Sequence, residues 1–227
     1  MNFMFRNSFK LFSKNTTQKQ DREFKDADAF PKVGWLEAHQ NRFGMRVLDC
    51  RSFSRSALCF APDYDIAKKF LKLRSSTGEN YRDQLPKNML HIRCNFRYRF
   101  EERIPDGPVS IAKAMQDRWD VYLYDSFLYF TNSWSGELLI RAKVDFKNNE
   151  FFVSAIDICS DLANRDKSLA VRQVDYLIKS HLYRYEVPNP LPRDFPNDSK
   201  QIALYSFSFY GRMSSYATYE DTTLIKI

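Results

Sequence analysis

A nucleophile needs a base within reach, and a metal ion needs several ligands converging on one point. His39, His91 and His181 stand far apart, and none belongs to an H-E-x-x-H, H-x-H or mixed Cys/His cluster. Cys50, Cys59, Cys94 and Cys159 form no C-x-x-C pair. Alternation sends Cys94 inward with Ile92 and Phe96, which makes it a packed thiol rather than a nucleophile. His91 and His181 read as structural or surface histidines, because a titrating imidazole needs a partner that the sequence does not show. The run Ser133-Trp134-Ser135-Gly136-Glu137 lacks the first glycine of a G-x-S-x-G elbow and falls between strand candidates, so it reads as a turn. No G-x-G-x-x-G or G-K-[ST] loop is present to cradle a phosphate. The residues thus name no catalytic set, no metal site and no cofactor; an enzyme whose polar groups converge only in the fold stays open as an alternative.

Recognition chemistry is better represented. Arg93, Arg97 and Arg99 recur at even spacing along one segment, and guanidinium groups in such a row can meet carboxylates or phosphates through paired N–H donors. The competing reading is a solvated sheet face whose arginines pair with acids on neighbouring strands, such as Glu137 and Asp145. Arg51 and Arg55 with Ser54 and Ser56, and the run Ser75, Ser76 and Thr77, are anion contacts or, lacking a glycine-rich cradle, ordinary loops. Tyr122, Tyr124, Phe127, Tyr129, Phe130 and Trp134 are dense enough to suggest a base-stacking sheet, yet the K/R-G-F/Y-G/A-F-V-x-F/Y signature is missing. Packing explains most of them, and exposed tyrosines beside arginines would suit a protein partner.

These residues must be held by elements that the pattern predicts. Leu90 to Glu101 alternates strictly, with Ile92, Cys94, Phe96, Tyr98 and Phe100 on one side and the arginines on the other. No proline occurs between Pro108 and Pro188, and Gly136 is the only glycine there, so Trp119 to Ile158 can run as a ladder. Asp120–Tyr124, Phe127–Ser133, Glu137–Phe146 and Phe151–Ile158 are joined by short polar turns, which only antiparallel neighbours allow. Leu138, Ile140, Ala142, Val144 and Phe146 fall on one face of the third. Further strands are expected at Gly44–Cys50, Ser56–Phe60 and Gln201–Tyr210. Helices are expected after Asp63, with Ile66, Phe70, Leu71 and Leu73 as the apolar stripe, after Ser110 with Ile111, Ala114 and Met115, and over Lys167–Tyr183. A local run of strands with helices before and after it predicts an α+β fold, an antiparallel β-meander with a few covering helices.

Composition sets the outer bounds. The 227 residues are 44% hydrophobic and 16% aromatic, enough for a packed core; residues 31–227 are expected to form one α+β domain after a flexible or helical appendage, residues 1–30. Widely spaced cysteines in a chain this large predict reduced thiols and a cytoplasmic location. Phe3, Phe5, Phe9 and Phe12 lie among Arg6, Lys10 and Lys14, but Arg6-Asn7-Ser8 interrupts any signal-peptide core, and no transmembrane span is expected. A frayed or docked helix, a weak membrane-surface contact and a mitochondrial presequence are the readings for that end. The formal charge of +7 biases partners toward anionic surfaces. The expectation is a soluble, non-catalytic binding module, immunity-type or regulatory, holding a protein partner through Arg93, Arg97, Arg99, Tyr122, Tyr124, Ser133, Trp134 and Glu137. Nucleic acid on the same basic face is the alternative.

Overall fold

A computed structural model describes residues 30–61, 63–99, 104–162 and 166–225. The appendage expected over residues 1–30 therefore lies, but for Phe30, outside the described residues. The strands are β1 (Gly34–Leu36), β2 (Val47–Asp49), β3 (Met89–Arg99), β4 (Gly107–Ser110), β5 (Trp119–Tyr124), β6 (Phe127–Asn132), β7 (Leu138–Lys147), β8 (Glu150–Cys159), β9 (Pro188–Pro190) and β10 (Tyr216–Thr218). The helices are α1 (Arg51–Ser56), α2 (Tyr64–Leu73), α3 (Lys167–Leu177) and α4 (Ser199–Tyr210). The fold is α+β.

The large sheet has six strands in the order β3-β8-β7-β6-β5-β4, every neighbour antiparallel. Its heart is the expected meander. Asp125 and Ser126 between β5 and β6, and Asn148 and Asn149 between β7 and β8, carry positive φ at both central positions, the turn geometry whose twist matches a hairpin. A bulge opposite Phe130 and Thr131 shifts the register of β7, so Leu138 leaves the face expected for it and packs with Tyr81, Tyr122 and Tyr129. Ile140, Ala142 and Val144 stay on the inner face with Val121, Leu123, Leu128, Val153 and Ile156.

The small sheet orders β1-β2-β10-β9, with β10 and β9 parallel and the other pairs antiparallel. Between the sheets runs α3, capped by Asp166, which accepts from the backbone N–H groups of Ser168 and Leu169. It is buried nearly all round, polar Arg172, Gln173 and Asp175 included, as a helix covered on more than one side must be. It continues through a π-helical turn, Ile178–Leu182. Burying charge there requires pairing: Asp175 accepts from Lys179 Nζ at 2.7 Å and from Tyr98 Oη at 2.8 Å, and Lys179 also donates to the Thr222 carbonyl. This network ties β3 of the large sheet to α3 and to the C-terminal segment.

Three element expectations are corrected. Ser56–Phe60 forms no strand: α1 occupies Arg51–Ser56 and irregular chain follows. Ser110 ends β4 rather than capping a helix. Gln201–Tyr210 is helical, because Asp198 caps it by accepting from Gln201 N–H at 2.7 Å, and Ile202, Ala203, Tyr205, Ser206 and Phe207 bury a helical face that outweighs their strand propensity. After Asp63, α2 begins as expected, with the Asp63 carboxylate accepting from Ile66 N–H at 2.9 Å; Phe70 faces the core, whereas Leu71 is 68% exposed.

Candidate binding face of the large sheet

The outer face of the large sheet is divided. Over β5 and β6 it is roofed by α2 and the chain that follows. Leu73 lies against Gly136, Tyr81 Oη donates to the Gly136 carbonyl at 2.8 Å, and Tyr129 Oη accepts from Asp83 N–H. The roof needs a left-handed residue at Gly78 (φ 79°), where a Cβ would run into the Tyr122 ring. Over β3, β8 and β7 nothing among the described residues covers the sheet.

Cross-strand register fixes what the open half presents. One row holds His91, Asp157 and Arg141, the next Arg93, Ala155 and Lys143, the next Arg97, Phe152 and Asp145, and the last Arg99, Glu150 and Lys147. In the first row the charges are spent: Asp157 is buried and accepts from Arg141 at 2.7 Å while meeting His91 Nδ1 at 2.7 Å. In the other rows Arg93, Arg97, Arg99, Lys143 and Lys147 are all exposed, and among the described residues none of them enters an ion pair. Half-buried Phe152 sits at their centre with the Arg97 guanidinium 5.5 Å from its ring centroid. Asp145 stands between Lys143 and Lys147 along β7, so the face carries both signs with cations in excess.

The residues anticipated for the site separate into two groups. Arg93, Arg97 and Arg99 come together on the open half as alternation required. Tyr122 is 0% exposed beneath Gly78 and Tyr81. Half-buried Tyr124 donates its hydroxyl to the Thr77 carbonyl at 2.9 Å, with Arg82 over its ring. Ser133 is buried and donates to the Asp117 carbonyl. Trp134 donates its indole N–H to the Met115 carbonyl and stacks under Arg118 at 4.1 Å. Glu137 N–H donates to Ser135 Oγ within the same turn. These groups lie over β5 and β6 or at their end, and they are engaged in holding the roof and the turn. Lys143, Lys147 and Phe152 belong to the open face but escaped the sequence reading. Their signal is the parity of β7 and β8: with Ala142, Val144, Phe151 and Val153 inward, they must point outward.

Among the described residues an imidazole meets a carboxylate at His91 and Asp157, where Arg141 holds the second carboxylate oxygen. No set of three or more His, Cys, Asp and Glu side chains among the described residues is placed to hold a metal. Burial pushes the Cys50 thiol up to about 12 and that of Cys94 to about 11, so both stay protonated near neutrality. Ser180 Oγ lies 2.9 Å from His181 Nδ1, but both side chains are buried and the serine hydroxyl donates to the Tyr176 carbonyl. No described helix is long and apolar enough to cross a membrane. No protein-family model, curated protein or solved structure matches the chain.

Proposed function

We propose that the chain is a non-catalytic binding module that holds an acidic protein surface on the open half of its large sheet. The observation that supports this is the cluster of outward cations Arg93, Arg97, Arg99, Lys143 and Lys147 around Phe152, with no carboxylate among the described residues bonded to any of them. Arginine and aromatic side chains are the groups that most often anchor protein interfaces. A nucleic-acid strand is a poorer fit, since its uniform phosphates would meet Asp145 and Glu150 inside the same patch, whereas a protein can place cations opposite those acids.

The patch spans roughly 10 Å across three strands and about 20 Å along β3 from Arg93 to Arg99, from strand spacing and rise. That is smaller than the roughly 800 Å² per partner of a standard stable interface. Binding is therefore fast, electrostatically steered and salt-sensitive rather than permanent.

The test compares the wild type with the Arg93→Ala/Arg97→Ala/Arg99→Ala variant in tagged pull-downs from native cells, with and without nuclease. The expected result is a stoichiometric, acidic, nuclease-resistant protein that the variant loses and that elutes as ionic strength rises from about 0.1 M to 0.5 M, where screening shortens to a few ångströms. Unchanged recovery by the variant rejects this surface, and recovery abolished by nuclease replaces the protein with nucleic acid. All three arginines are exposed, so the variant should keep its wild-type circular dichroism and unfolding midpoint.

A further inference from the structure

At one end of the small sheet, separate from the open face, a cavity of about 310 Å³ is lined by Leu36, Gln40, Asn41, Arg42, Phe43, Arg51, Glu186 and Tyr216. Five stretches of chain meet there: the end of β1, the turn before β2, the first residue of α1, the segment before β9, and β10. One wall is apolar, and Gln40 and Asn41 line the rest beside the charged rim. Phe43 and Tyr216 meet edge to face with centroids 5.0 Å apart, and Leu36 packs with them. The rim is cationic. Arg51 lies 5.1 Å over the Tyr216 ring and holds Asp49 through Nε and Nη2, which leaves Nη1 without a partner among the described contacts. Arg42 donates Nη2 to the Glu186 carbonyl at 2.7 Å.

The placement of the Glu186 carboxylate is the informative feature. It lies 3.5 Å from Arg42 Nη2 and 3.6 Å from Arg55 Nη2, beyond the roughly 2.7–2.9 Å of a direct charge-assisted bond. It is attracted by both guanidinium groups and locked by neither. An incoming anion that reaches bonding distance can therefore take its place. Charge fixes the valence of that anion: Arg42, Arg51 and Arg55 against Asp49 and Glu186 leave one positive charge in excess, which one negative charge neutralises. The wall of Leu36, Phe43 and Tyr216 suits a ligand with an apolar body.

We infer that this cavity binds a small monocarboxylate with an apolar body, its carboxylate held by Arg42 and Arg51 at the rim and its body between Phe43, Tyr216 and Leu36. Arg55 assists by drawing Glu186 aside. The carboxylate of Glu186 is then a competitor, and neutralising it strengthens binding, which a merely structural role for this residue would not produce.

Benzoate is the probe, titrated calorimetrically and by the aromatic NMR signals of Phe43 and Tyr216, with inorganic phosphate as the comparison. The expected result is saturable one-to-one binding of benzoate that moves both rings and is tighter than that of phosphate. Losing the Arg42 bond and the pull of Arg55 on Glu186 in Arg42→Ala/Arg55→Ala should weaken it roughly tenfold, while Glu186→Gln should tighten it severalfold. Both arginines have mostly exposed side chains, so this variant keeps the fold, and an unchanged melting midpoint verifies that. Overturning results are no saturable benzoate signal at these rings, phosphate binding as tightly as benzoate, or weaker binding by Glu186→Gln.

Discussion

Arg74 spends all of its N–H donors at once. Nε donates to the Phe70 carbonyl, Nη1 to the Ala112 carbonyl and Asp120 Oδ1, and Nη2 to Asp120 Oδ2 and the Ser133 carbonyl. Its guanidinium also stacks on Phe70 at 4.2 Å. One side chain thereby pins the end of α2 to β5 and to the turn after β6, and the roof over Tyr122 depends on it. Asp120 is 1% exposed, so removing its partner leaves a buried charge uncompensated. Arg74→Ala should cost about 3–5 kcal/mol in denaturant unfolding. Arg74→Lys should recover only a fraction of that, since three rotating donors cannot fill five fixed positions. In the sequence Arg74 is simply a basic residue at a helix end. Its role was illegible because its partners beyond α2 lie 38 to 59 residues away. Arg93, Arg97 and Arg99 were legible because period-two spacing is a local signal, whereas the loss of Tyr122 from the face was not: alternation tells which side a residue takes, and not which side is roofed.

Among the elements, the strands joined by short turns were the readable part. Both partners of each hairpin lie within a few residues, and the turn chemistry of Asp125-Ser126 and Asn148-Asn149 declares the reversal. The second of these turns can be improved. Asn149 holds φ of 59°, which glycine adopts without a side-chain penalty, and Asn-Gly is the preferred pair for this turn type. Asn149→Gly should raise stability by roughly 0.5 kcal/mol in thermal or denaturant unfolding, the entropy that glycine adds to the unfolded chain offsetting part of the gain. A decrease would show that the observed twist does not depend on positive φ there. The reverse lesson comes from α4. Its run of isoleucine, leucine, phenylalanine and tyrosine favours a strand on propensity alone, and only the Asp198 cap and the buried helical face against α1 and β10 decide for a helix. The cap was visible in the sequence, and the neighbours were not.

For the molecule as a whole, acid is expected to act through the buried turn after α3. Burial, with Arg184 adding to it, pushes the His181 imidazole down to about 4, below the value of about 6.5 it has in an unfolded chain. As pH falls below that value the unfolded state takes up a proton that the native state refuses. The contribution of His181 is thus fully present above about pH 6.5, is lost progressively down to about pH 4, and amounts to about 3 kcal/mol in total. His181→Gln should flatten this part of the stability profile, measured by urea unfolding at intervals between about pH 7 and 4.5; an unchanged slope would show that the imidazole takes up its proton as readily in the native state as in the unfolded chain. The pairing of β2 with β10 has a consequence of a different kind. Thr218 Oγ1 donates to the Arg46 carbonyl across 172 residues of sequence, so the small sheet must wait until both ends of that span exist. While the polypeptide is being made, the hairpins from β5 to β8 can close as they emerge, but the cavity beside Tyr216 cannot. Contacts this remote in sequence form slowly, and a chain still lacking β10 would present Leu48 and the other core residues of β2 to whatever chaperone is at hand.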